Sequence, residues 1–259
     1  MKRCVRAVCV AAFVAAVMFS GAGAYAQQVP AENHYKLYDY LAADPVFYGQ
    51  CLTLQDQFGC FVADTVWLER FANPVDKNGE GIVDPQAHQT WWRLSPQYAN
   101  TYTALVTDQF GSRYWSMVGP KFLVLPALKN PTDPEADPPL RNHYLCYQAY
   151  GPTPNVTVTL VDQFGTVCTV VMEACMFCNP VQKCLSDGTV YPIVDDCPHL
   201  ACYLITDTNQ YGFPVNTSDQ FGNRTQDVGM SWLLCVPAHK NDATPVKEST
   251  WGRIKSLLQ

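Results

Sequence analysis

Val156-Thr-Val-Thr-Leu-Val-Asp162-Gln-Phe-Gly165 decides how this chain is read. Its first six residues are β-branched or aliphatic and follow a period of two, the pattern of a strand with one buried face. The next four read as a turn. Asp at the first position accepts a backbone N–H, and Gly at the fourth takes a positive φ that side chains disfavour. The same Asp-Gln-Phe-Gly occurs at Asp56–Gly59, Asp108–Gly111 and Asp219–Gly222, so four copies stand 52, 54 and 57 residues apart. The repeated Phe (Phe58, Phe110, Phe164, Phe221) reads as a packing anchor, because one aromatic ring supplies much of a small core.

Two other landmarks keep step with the turn. His34, His88, His143 and His199 open short aromatic-rich segments (HYKLY, HQTWW, HYLCY, HLACY) about 20 residues upstream of it. Pro74, Pro126, Pro180 and Pro237 follow it, each with a lysine three residues later (Lys77, Lys129, Lys183, Lys240). The expected architecture is all-β: four tandem antiparallel β-meander repeats of about 55 residues, disulfide-stapled, with a short C-terminal helical tail. The expected boundaries are a signal peptide over 1–26, repeats over 27–84, 85–138, 139–195 and 196–240, and a linker with an amphipathic tail over 241–259. In that tail Trp251, Ile254 and Leu258 fall on one helical face.

The N-terminus reads as an export signal. Lys2, Arg3 and Arg6 precede an apolar run from Ala7 to Phe19, and Ala24-Tyr25-Ala26 is a small-x-small cleavage site. The run has about 13 residues against the roughly 20 that span a bilayer, so no membrane span is expected after cleavage. Cleavage before Gln27 removes two of the 12 cysteines and leaves an even number, which in an exported chain indicates disulfides. A formal charge of −6 and a pI near 5.3, without a basic run, argue against nucleic acid as a partner.

Alignment of the landmarks places Cys146 and Cys178 opposite Cys202 and Cys235, with 32 and 33 residues between the members of each pair. The first repeat holds Leu37 and Ala72 at those positions and the second Trp91 and Val124, so both cysteines are present together or absent together. That is how bonded partners behave. Cys146–Cys178 and Cys202–Cys235 are therefore expected disulfides. For the remaining six, local loops suggest Cys51–Cys60, Cys168–Cys175 and Cys184–Cys197, one of 15 connectivities. The competing readings are Cys175-x-x-Cys178 as a redox pair, or a zinc site of Cys175, Cys178, Cys184 and Cys197.

His143-Tyr-Leu-Cys-Tyr147, Leu160-Val-Asp-Gln-Phe-Gly165, Phe177-Cys-Asn-Pro-Val-Gln-Lys183 and the run from Asn73 to His88 together resemble an uncharacterised family of exported bacterial repeat proteins. The resemblance spans nearly the whole chain after the signal. It implies repeat identity and carries no activity.

Asp76, Asn78, Glu80 and Asp84 occupy positions 1, 3, 5 and 9 of a calcium-loop pattern with Gly81 at 6, although Ala87 stands where the bidentate Glu belongs. Calcium is the cofactor this pattern suggests; none is otherwise required. Strand alternation sends Trp91 and Trp92 to opposite faces. With Trp91 inward at a cysteine position, Trp92 becomes the exposed ring expected to stack on a ligand. The chain contains no Gly-x-Ser-x-Gly and no His-Glu-x-x-His. The expected function is an exported non-enzymatic structural, adhesion or binding module of the cell envelope or extracellular space, partnered by an extracellular protein or a glycan. The alternatives are a glycan-binding module using exposed aromatics, and a cysteine redox or zinc protein.

Overall fold

The computed structural model describes residues 32–42, 49–132, 140–241 and 244–245. The signal segment and the helical tail lie outside these residues. The described chain is all-β and antiparallel, and its strands come in recurring groups of three. The first group is β1 (His34–Tyr40), β2 (Cys51–Asp56) and β3 (Gly59–Lys77); the second is β4 (His88–Ser95), β5 (Thr101–Asp108) and β6 (Gly111–Lys129). The third is β7 (His143–Tyr150), β8 (Val156–Asp162) and β9 (Gly165–Leu185), followed by the two-residue β10 (Val190–Tyr191). The fourth is β11 (His199–Ile205), β12 (Gln210–Asp219) and β13 (Gly222–Lys240), and β14 (Thr244–Pro245) then pairs with β5.

Each group is one long hairpin. Its first and second strands lie in succession along the same long third strand, and Asp-Gln-Phe-Gly makes the tip. Gly59, Gly111, Gly165 and Gly222 have φ between 110° and 146°, which only glycine adopts without strain.

The first and third strands close into a ring. Pairing runs from β1 to β3, β4, β6, β7, β9, β11 and β13, and β13 pairs back to β1. Eight strands form a barrel just wide enough for side chains to fill. Inside it the cross-strand partners Leu37–Ala72, Trp91–Val124, Cys146–Cys178 and Cys202–Cys235 form a single layer. These are the four pairs that the landmark alignment matched. Both cysteine pairs are at disulfide distance, with S–S 1.92 and 1.94 Å.

The outer face of the ring is covered as well. Each second strand also pairs with the end of the long strand two hairpins away: β2 with β9, β5 with β13, β8 with β3 and β12 with β6. Leu52, Leu54, Val106 and Leu160 from these second strands share a core with the outward residues Trp92, Leu123, Leu145, Phe177 and Leu234 of the ring. Both faces of the ring strands are therefore largely buried, and the first strands bury polar residues too, Lys36, Gln89 and Thr90 among them.

Candidate functional site

Each hairpin tip is a fixed structural joint. The turn carboxylate accepts the N–H of the Phe two residues on, at 2.7–2.9 Å in all four copies. Its other oxygen reaches the first strand of the hairpin two places away. Asp56 accepts from Tyr147 Oη at 2.8 Å and Asn179 Nδ2 at 2.9 Å; Asp162 accepts from Tyr38 Oη at 2.6 Å; Asp108 accepts from Tyr203 Oη. Asp219 accepts from Thr90 Oγ1 at 2.6 Å and Trp92 Nε1 at 2.9 Å. The turn Phe packs edge-on to the same aromatic, with centroids 5.0–5.2 Å apart (Phe58–Tyr147, Phe110–Tyr203, Phe164–Tyr38, Phe221–Trp92). Lysines of the downstream landmark sit over these rings, Lys129 over Phe164, Lys183 over Phe221 and Lys240 over Phe58. The motif's residues are thus committed to one another.

Trp92 belongs to this joint, and the expected exposed stacking platform is corrected. It is 0% exposed, like Trp91. Alternation does put the two on opposite faces, but the fourth hairpin tip covers the outer one. Trp91 lies inward beside the cysteine layer, as its position implied. Exposed aromatics are found instead at Trp67, Tyr114 and Trp232.

The calcium-loop residues are occupied separately. Asp76 Oδ1 accepts Gly81 N–H, Asn78 Oδ1 accepts Thr159 N–H, Glu80 pairs with Lys77, and Asp84 pairs with Arg141 and accepts Gln86 N–H. Among the described residues the one group of three acidic, Cys or His ligand atoms within 4.8 Å of one another is Asp195, Asp196 and Cys197, all exposed. Asp76, Glu80 and Asp84 therefore do not converge as a cation loop would require.

Cys51, Cys60, Cys168, Cys175, Cys184 and Cys197 are free thiols. The three local pairings do not form, for reasons of strand geometry. Cys51 stands opposite Asp64 and Cys60 opposite Gln55, while Cys168 and Cys175 lie seven residues apart on the single strand β9. Cys184 faces Val190 across its hairpin, and Cys197 is exposed beyond it. The Cys175-x-x-Cys178 pair is also excluded, since residues three apart on a strand face opposite ways and Cys178 is joined to Cys146. Burial pushes the Cys175 thiol up to about 12, the reverse of what a redox cysteine needs.

The landmark histidines pack. His88 stacks on Phe71 and His199 on Phe177, while His143 lies beside Tyr191. Burial lowers their pKa values to about 4 (His88), about 3 (His143) and about 4 (His199), so they are neutral in the folded protein.

The barrel carries a cavity at each end: one of about 390 Å³ lined by Tyr35, Gln89, Tyr144 and the loop residues Arg141 and Asp195, and a larger one at the opposite end. Two residues from the cysteine layer, the next inward layer pairs Asp39 with Arg70, Arg93 with Phe122, Gln148 with Met176 and Leu204 with Leu233. All of this layer but Asp39, together with Trp67, Lys121 and Cys175, lines the larger cavity, of about 670 Å³, at one mouth of the barrel. Arg93 makes a bidentate pair with Glu69 at 2.7 Å, and Arg70 binds Asp39 at 2.8 Å and Glu69 at 3.2 Å. Both guanidinium groups lie over the Phe122 ring, at 4.9 Å for Arg70 and 4.2 Å for Arg93. The lining joins the cationic Arg70, Arg93 and Lys121 to the apolar Met176, Leu204 and Leu233, and also includes Trp67, Phe122 and Gln148.

Sequence reasoning missed this site. Arg70 stands at a position that holds Phe122, Met176 and Leu233 in the other hairpins, and Arg93 at one that holds Asp39, Gln148 and Leu204. That departure from the repeat pattern is visible once strands are aligned, but only ring closure brings those positions together. Comparison with protein-family models, with curated proteins and with solved structures gave no match.

Proposed function

We propose that the protein is an exported, non-enzymatic binding module made of four copies of one unit, acting in the cell envelope or the extracellular space. One observation carries the binding part of this reading. The middle of the ring and its outer face are filled by side chains, whereas the mouth beyond Arg70 and Arg93 holds a cavity of about 670 Å³ lined by both charged and apolar groups, larger than the one of about 390 Å³ at the opposite end. The four matching turns and the recurring strand pairings support descent from one unit. The charged, apolar and small-x-small order of residues 1–26 supports export, and buried cysteine pairs suit an oxidising compartment. The tip joints give the scaffold the rigidity that a preorganised site needs.

A glycan reading moves from Trp92 to Trp67, which is 40% exposed at the rim of the cavity. Its partner would be an extracellular sugar stacking on the indole.

Intact mass and a non-reducing peptide map of the protein recovered from its native host test the exported scaffold. The expected result is a mature chain starting at Gln27, with Cys146–Cys178 and Cys202–Cys235 linked. A cytoplasmic protein that retains residues 1–26 and has reduced thiols at those four positions overturns it.

A further inference from the structure

We propose that the open barrel mouth binds a small organic monoanion, a carboxylate carried on an apolar body. The inference rests on the reading of the protein as a binding module and names the class of its ligand. The cavity lining contains three cations, Arg70, Arg93 and Lys121, and no carboxylate. Glu69 and Asp39 pair with the two arginines, whereas Lys121 makes no ion pair among the described residues. One uncompensated positive charge suits a monoanion better than a phosphate dianion.

The arginines are held in place before a ligand arrives. Glu69 and Asp39 fix their orientation, and the Phe122 ring supports both planes. Arg93 gives its Nε and one terminal nitrogen to Glu69, so Nη1 remains available to a carboxylate oxygen. Across the mouth Met176, Leu204 and Leu233 offer an apolar wall. The volume falls within the range of small-molecule pockets, about 300–1,000 Å³. The disulfide layer and Trp91, next inward, close the floor and limit how deeply a chain can enter.

The test uses the full secreted chain with its disulfides intact and 1-anilinonaphthalene-8-sulfonate as a fluorescent anionic reporter. Decanoate and 2-naphthoate compete as aliphatic and aromatic carboxylates, and decanol serves as the neutral comparator. The expected result is displacement of the reporter by at least one carboxylate and not by decanol; the stronger competitor identifies the body. Lys121→Glu is expected to weaken that competitor about tenfold or more, the scale of one charge-assisted contact. Leu204→Trp, which fills the mouth, should abolish binding, and Tyr114→Ser, at a site 74% exposed, should leave it unchanged.

Equal displacement by decanol, or unchanged competition in Lys121→Glu, overturns the anion assignment while leaving an apolar binding site. Absence of any reporter binding by a protein with a cooperative unfolding transition overturns the binding module itself. Should Lys121→Glu fail to fold, the wild-type protein decides by salt: carboxylate affinity that does not fall as ionic strength rises sinks the proposal.

Discussion

Asp219 sits almost wholly out of solvent, yet it accepts hydrogen bonds from Thr90, from Trp92 and from the backbone N–H of Phe221. Burial holds the carboxyls of Asp56, Asp108 and Asp219 above the usual carboxylate range, and the donors around each pull it partly back. Buried histidines act in the opposite sense on acid stability. His88, His143 and His199 stay neutral in the folded state until about pH 4, 3 and 4 respectively. In the unfolded chain an imidazole takes up its proton near pH 6.5. The unfolded state thus binds more protons between those limits, and stability falls as pH drops from about 6.5 towards 4. Each histidine contributes a slope of up to about 1.4 kcal/mol per pH unit. The raised carboxyls offset part of this at the acid end, since protonating them favours the fold. Urea unfolding from pH 7 to 4.5 should show the decline, and His143→Gln should have a shallower slope than the wild type. An identical slope in the variant would show that His143 titrates normally.

At the scale of elements, the cross-strand pair is the unit that varies. The inward layer offers four solutions to one position: Leu37–Ala72, Trp91–Val124 and two cystines. Each fills the same space between a first strand and its long third strand. A variant carrying Cys202→Leu with Cys235→Ala places the first hairpin's solution in the fourth. It should keep the fold and lose about 3–4 kcal/mol, the chain-entropy value for closing a loop of this length. The midpoint and slope of chemical unfolding check this, the slope rising as the unfolded chain loses its cross-link. Loss of cooperative unfolding would mean that the bond does more than restrain the unfolded chain. The second strands carry out another task. By pairing with a long strand two hairpins away, they convert what would be exposed sheet edges into ladders.

At the scale of the molecule, closure makes the four hairpins interdependent. β1, near the N-terminal end, is held between β3 and β13, so the first and last hairpins complete each other. A chain ending at Asp195 lacks β11–β13 and leaves edges of β1 and β9 without partners. Such a chain should show no cooperative thermal transition by circular dichroism, while the full chain shows one. The full chain should also scatter as a compact body, with a radius of gyration near 18 Å for a chain of this length. A stable, cooperatively folded truncation would mean that the hairpins string out as independent units.

The strands, the hairpin tips and the two cystines were legible in the sequence because they depend on local chemistry or on register between copies. A period of two, an Asp and a Gly at fixed turn positions, and cysteines that come and go in pairs each carry their own meaning. For Trp92 and the calcium-loop residues, alternation and spacing say which way a side chain points and leave open what meets it there. Tertiary structure decided both, by laying the fourth hairpin tip over Trp92 and by giving Asp76, Asn78, Glu80 and Asp84 separate protein partners. The barrel mouth is the clearest case. Arg70, Arg93, Lys121, Met176 and Leu233 come from all four hairpins, and only the pairing of β13 with β1, a contact between opposite ends of the described chain, brings them around one opening.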